Sequence, residues 1–209
     1  MKILVTGCGR GGTNLGIELI RAFDYFNTTQ EVEDRNFFMY DMLPDRYATK
    51  LATENKNFTI SNIDLVMQRN PDLSVLFITR HPIDVCLSKI VRGRPRSLGG
   101  DSNIEQTAAD GTPPAAVMTI KHMTKIYTFL KENYSDRTLT LKMEDLIRDP
   151  KLAIKLVAKQ FNIVSKETTK DFFQNNRNTY QQQRYGKKLV NNVDLYLDLE
   201  NSFEGYFSG

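Results

Sequence analysis

Cysteine is scarce in this chain. Its 209 residues hold only Cys8 and Cys86, far apart and without a metal-type spacing. Neither a disulfide framework nor a zinc site is therefore expected, and no metal is called for. Long hydrophobic runs are also missing. No apolar segment approaches the ~20 residues needed to cross a bilayer. The first apolar run is only four residues before glycine interrupts it, so no secretory leader is expected. Together these absences point to a reduced, cytoplasmic compartment. Charge of one sign is not in excess, since 28 Lys and Arg stand against 25 Asp and Glu, a net +3. That gives no case for a nucleic-acid partner, yet would not repel an anionic ligand. Repeats, low-complexity tracts and interdomain linkers are absent too. What remains is the 40% hydrophobic and 25% charged composition of a globular protein, expected to form a single domain over 1–209.

The chain is organised around its beginning. Residues 2–6 (Lys-Ile-Leu-Val-Thr) read as a strand buried on both faces. Gly7, Cys8, Gly9, Arg10, Gly11 and Gly12 follow, then Thr13 and Asn14. Leu15, Leu19, Ala22, Phe23 and Phe26 come next at helical spacing. A strand, a glycine-rich turn and a helix N-terminus make an anion-binding arrangement, because glycine admits close backbone approach and the helix start has unpaired N–H groups. A triphosphate loop wants G-x-x-x-x-G-K-[ST]; Gly7 and Gly12 have that gap, but Thr13 stands where lysine should be. A dinucleotide fingerprint, G-x-G-x-x-G, is met by Gly7, Gly9 and Gly12.

Further along, 27–35 is polar and reads as a loop, and 36–42 as a second strand ending near Asp41. A helix is expected over 45–54, opened by Pro44, and a short strand over 58–60. A helix over 62–69 precedes the strongest internal strand, 74–79 (Ser-Val-Leu-Phe-Ile-Thr). Arg80-His81-Pro82 leads into a helix over 83–91, and 93–112 reads as a long functional loop. A helix over 112–133, a strand over 138–142 and a helix over 151–161 follow, the last with Leu152, Leu156, Val157 and Phe161 inward. Another helix is placed at 166–175, and 176–209 has no clear assignment. Strands alternating with helices imply an α/β fold with a parallel sheet, whose ligands gather at the carboxyl ends of strands. Gly7–Arg10, Asp41 and Arg80 all lie at such expected ends.

Three segments, in order over about residues 3–150, resemble the sulfotransferase family. Arg10-Gly11-Gly12-Thr13-Asn14 is similar to its phosphosulfate loop, with Gly11 in place of the usual Ser or Thr. Leu76 to Ser88 is similar to its 3′-phosphate motif: a buried strand, Arg80, and Ser88 eight positions later, with His81 for the usual aspartate. Leu141 to Pro150 is similar to its strand and Tyr-Glu-Asp-Leu…Asp-Pro stretch, with Met143 for the tyrosine. Arg184-Tyr185-Gly186-Lys187-Lys188 loosely resembles a late cover of the 3′-phosphate.

The resemblance implies a P-loop, nucleotide-kinase-like sulfotransferase fold, with a parallel sheet flanked by helices. It also implies transfer of a sulfuryl group from 3′-phosphoadenosine-5′-phosphosulfate (PAPS) to a hydroxyl or amine acceptor, small molecule or carbohydrate. On that reading Gly9, Arg10, Gly11, Gly12, Thr13 and Asn14 hold the 5′-phosphosulfate. Arg80 and Ser88, with Arg184 and Gly186, hold the 3′-phosphate. Arg10 also stabilises the leaving phosphate, and Asp41 is the expected general base, with His81 and His122 behind it. Acceptor identity and oligomeric state stay open. Two rivals stand beside this. One is a nicotinamide-dependent reductase of the short-chain type, with Tyr127 and Lys131 as its Tyr-x-x-x-Lys. The other is a homologue that binds the nucleotide without turnover.

Overall fold

The computed structural model describes residues 1–23, 25–29, 37–39, 42–92, 113–164 and 201. Strand β1 (Lys2–Gly7) is buried along its whole length. Its side chains alternate between two separate cores, Ile3 and Val5 on one face and Leu4 on the other. A strand covered on both faces needs neighbours on both edges. β1 has them in β3 (Tyr47–Ala52) and β4 (Leu73–Thr79). β2 (Asn27–Thr29) lies outside β3, and β5 (Thr138–Lys142) outside β4. The sheet order is β2-β3-β1-β4-β5, every pair parallel.

Parallel neighbours require crossovers, and the helices that make them cover both faces. α1 (Thr13–Arg21), α5 (Met143–Arg148) and α6 (Pro150–Gln160) supply Leu15, Ile17, Leu146, Ile154 and Val157 to one core. α2 (Ile60–Arg69), α3 (Pro82–Arg92) and α4 (Pro113–Asn133) supply Ile63, Val66, Val85, Ile120 and Ile126 to the other. All five strands point the same way, so their carboxyl ends form one rim.

The strands expected at 2–6, 74–79 and 138–142 are present, as is the α/β class. The second strand is not where its sequence placed it. Phe37–Met39 is a short 3-10 helix, and the edge strand is Asn27–Thr29, inside the expected loop. The helix expected over 45–54 is strand β3. Ala, Lys and Leu favour helix, but the slot between β1 and β2 buries Tyr47, Ala48, Thr49, Leu51 and Ala52, and that packing overrides propensity. The expected strand at 58–60 is instead the start of α2, capped by Thr59 Oγ1 on the Asn62 amide. α1 stops at Arg21, short of Phe26. In α6 the inward residues are Ala153, Ile154 and Val157, while Leu152 and Leu156 are exposed. The expected loop 93–112 and helix 166–175 lie outside the described residues.

Candidate active site at the strand ends

β1 cannot continue past Gly7, which has φ 141° and where a Cβ would lie 2.2 Å from the Ile78 carbonyl oxygen on β4. Only glycine fits there. The chain turns at once, the Gly11 amide donating to the Cys8 carbonyl at 2.8 Å. Arg10 takes the left-handed position of that turn, φ 72°, which glycine usually fills. Gly12, φ 97°, then starts α1 without a side-chain cap. Among the described residues the amides of Gly12, Thr13, Asn14 and Leu15 have no acceptor. A helix start with unpaired amides and a positive dipole end is a binding place for an anion.

Each neighbouring strand end sends a group to this loop. From β4, Arg80 Nη1 donates to the Arg10 carbonyl at 3.1 Å. From α3, the buried Ser88 Oγ accepts from Arg10 Nε at 3.0 Å. Thus Arg10, Arg80 and Ser88, chosen from sequence as separate motifs, form one cluster. From β5, Met143 packs over Gly12, where a Cβ would lie 2.8 Å from its sulfur. Beside it the Glu144 carboxylate accepts from the His81 amide at 3.1 Å and ties the Arg80–His81 turn to α5.

The group missed from sequence comes from β3. Glu54, two residues past its end and 6% exposed, accepts from the Gly9 amide through both carboxylate oxygens, at 2.8 and 2.7 Å. The Cys8 thiol donates to Oε1 at 3.3 Å. Gly9 is needed for this approach, because a Cβ there would lie 2.7 Å from Oε1. The helix expected over 45–54 hid Glu54. A strand over 47–52 followed by the polar run 53–57 would have placed an acid at a strand end beside the loop.

Other expected residues are placed differently. Thr13 is buried, whereas Asn14 is exposed and its Oδ1 accepts from Lys50 Nζ at 2.9 Å. His122 hydrogen-bonds the Phe58 carbonyl oxygen through Nε2 at 3.2 Å, a structural tie between α4 and the start of α2. Asp41, Arg184 and Gly186 lie outside the described residues. Among the described residues no cluster of three His, Cys, Asp or Glu could hold a metal, and no helix is long and apolar enough to cross a membrane.

The strand order separates the candidate families. A dinucleotide fold runs 3-2-1-4-5-6, putting the second strand beside the first. Here the third strand takes that place. Solved structures match this chain in overall fold. Mouse SULT7A1 complexed with PAP matches with a TM-score of 0.60 and 15% identity, over 90% of this chain and 68% of that one. The sulfotransferase domain from the curacin biosynthetic pathway matches at 0.56 and 12%, over 80% and 75%. The sulfotransferase from Alicyclobacillus acidocaldarius matches at 0.52 and 11%, over 78% and 81%. This is the sulfotransferase fold. No protein-family profile matches the chain, and no curated protein matches it in sequence. The reductase pair also fares poorly within the sulfotransferase fold. Tyr127 packs on Phe77, ring centroids 5.1 Å apart, while Lys131 faces solvent.

Proposed function

We propose that this protein is a sulfotransferase that uses PAPS and transfers its sulfuryl group to a hydroxyl or amine. The single observation that carries the reading is the junction of Arg10, Arg80 and Ser88 beside a helix start with unpaired amides. This donor set fits an anion at each end of the nucleotide. The loop amides of Gly12, Thr13, Asn14 and Leu15 suit the 5′ group, and the Arg80 guanidinium with the Ser88 hydroxyl suits the 3′-phosphate. When bound, that nucleotide would supply an activated sulfuryl group whose leaving group is a phosphate. Sulfuryl transfer needs positioning and charge stabilisation more than covalent chemistry by the protein. Arg10 fits that demand, since guanidinium brings charge and donors but does not give up its proton.

The acceptor requires a general base. The sequence pointed to Asp41; among the described residues Glu54 is the carboxylate against the loop, and we assign the role to it. Glu54→Gln is expected to lower turnover by about 10²–10⁴, with Asp41→Asn within a few-fold of wild type. The reverse order would return the role to Asp41.

Thermal stabilisation by 3′-phosphoadenosine 5′-phosphate, set against NADH and NADPH, tests the class of ligand. Turnover of labelled phosphosulfate then separates an enzyme from a binding homologue. Arg80→Ala and Ser88→Ala are expected to weaken the 3′-phosphorylated nucleotide more than adenosine 5′-phosphate. The arginine should cost about 1.5–3 kcal/mol and the serine less. Equal weakening of both nucleotides would place the 3′-phosphate elsewhere.

A further inference from the structure

The loop keeps the frame of a triphosphate-binding loop. Gly7 and Gly12 have the right gap, and the loop lies between the central strand and the first helix of a parallel sheet. It differs in two respects. Thr13 replaces the lysine, which removes an attraction. The second difference adds a repulsion: an anion belonging to the protein already holds one of the loop amides. Glu54 reaches it from β3, is buried, and accepts from the Gly9 N–H through both oxygens. Its Oε1 is fixed further by the Cys8 thiol. A side chain at Gly9 would displace this carboxylate, since a Cβ would meet the same oxygen at 2.7 Å.

We propose that Glu54 is a specificity-determining residue that closes the loop to polyphosphates. This rests on reading the loop as the site of the nucleotide's 5′ group. A phosphosulfate, two linked groups of about one charge each, can use the amides of Gly12 to Leu15, which have no acceptor among the described residues. A triphosphate adds a third group and more charge, needs more of the loop's amides, and would have to lie along a buried carboxylate on the Gly9 N–H. Like charges that close, partly removed from water, repel strongly. Discrimination by a repulsive group rejects the wrong ligand without adding contacts to the right one. The sulfuryl donor carries one phosphate and one sulfate at its 5′ end and places its remaining charge at the 3′ position, where Arg80 and Ser88 lie. The carboxylate therefore weighs more heavily against ATP than against PAPS.

The experiment is calorimetry without divalent metal, titrating inorganic tripolyphosphate, ATP and 3′-phosphoadenosine 5′-phosphate into wild type and Glu54→Gln. Glutamine keeps a carbonyl acceptor for the Gly9 amide and removes the charge. Its tripolyphosphate and ATP affinities are expected to rise about tenfold or more, with a smaller change for 3′-phosphoadenosine 5′-phosphate. Should Glu54→Gln fail to fold, Gly9→Ala displaces the carboxylate from the Gly9 amide by steric contact, and a smaller gain in tripolyphosphate affinity is expected. No gain in the folded variant overturns the proposal, as does wild-type protein binding tripolyphosphate as tightly as 3′-phosphoadenosine 5′-phosphate. Wild type that binds no 3′-phosphorylated nucleotide would instead count against the donor assignment, and the tripolyphosphate gain would still decide the role of Glu54.

Discussion

At the scale of the residue, Arg10 joins two demands that pull apart. Its side chain is the cation at the loop, held through Nε on Ser88. Its backbone sits at φ 72°, a left-handed conformation that costs an L-residue roughly 1–2 kcal/mol. Strain kept at a loop beside a charged cluster is of the kind that function maintains. Arg10→Ala is expected to lower turnover by on the order of 10²–10³, the range for losing one preorganised donor, with a smaller loss of nucleotide affinity. Arg10→Lys should keep part of the rate, because it restores a positive charge. Sulfate transfer by Arg10→Ala at the wild-type rate would remove Arg10 from the mechanism. The backbone gives a separate readout. Arg10→Gly should be more stable than Arg10→Ala in urea by about 1 kcal/mol, since glycine takes this conformation without strain. Equal midpoints would show that the turn relaxes when the arginine is lost.

At the scale of the element, the first helix is pressed onto the sheet. A Cβ at Gly16 would lie 2.8 Å from side-chain carbons of both Ile78 and Val5. Gly16→Ala gains helix propensity but must push α1 away from β1 and β4. A net loss of about 1–3 kcal/mol in unfolding free energy is expected, the cost of an overfilled core. Stabilisation would mean that the helix lifts freely. The elements also divide by how plainly the sequence announces them. β1 and β4 are apolar runs, as a doubly covered parallel strand requires, while β5 at the sheet edge is a short Thr-Leu alternation. β3 is different. Tyr-Ala-Thr-Lys-Leu-Ala after Pro44-Asp45 carries helix formers and no alternation, and only its place between β1 and β2 makes it a strand. The site inherited that division. Arg80 and Ser88 were legible because they follow a clear strand, and the glycine loop because its spacing is local. Glu54 was not, because its approach to Gly9 is a property of strand order, which no local pattern records.

At the scale of the whole molecule, the end of the sheet opposite the site is tied by charge. Lys2 Nζ lies 2.7 Å from an Asp72 carboxylate oxygen, and the N-terminal ammonium lies 3.2 Å from the other. Burial alone would raise the Asp72 pKa, but the hydrogen bonds and charges of Lys2 and the amino terminus outweigh it, so the group is held below its ordinary 3.8. A lowered folded value means the native state favours the carboxylate. Its contribution is complete above pH 3.8 and is lost as the pH falls through the folded value. The carboxylate is exposed enough that screening keeps the contribution below about 1 kcal/mol. Asp72→Asn is therefore expected to be slightly less stable than wild type at pH 7 and to converge with it in acid, turnover unchanged. A stability difference that persists at the acid end would show that the aspartate acts through shape and not charge.

The strand order also sets a sequence in time. β1 leaves the ribosome before either of its neighbours, yet Ile3 pairs with Ala48 on one side and Ser74 on the other. The loop it carries is held by Glu54, Arg80 and Ser88, all made later. Pairings so distant in sequence are slow to close. Until β4 has emerged, a nascent chain has an apolar strand without both partners, and until Ser88 follows, a glycine loop without all its clamps. The complete loop is thus gained only once β4 and the first turns of α3 have been made, and a chain stalled before β4 should expose β1 to other strands.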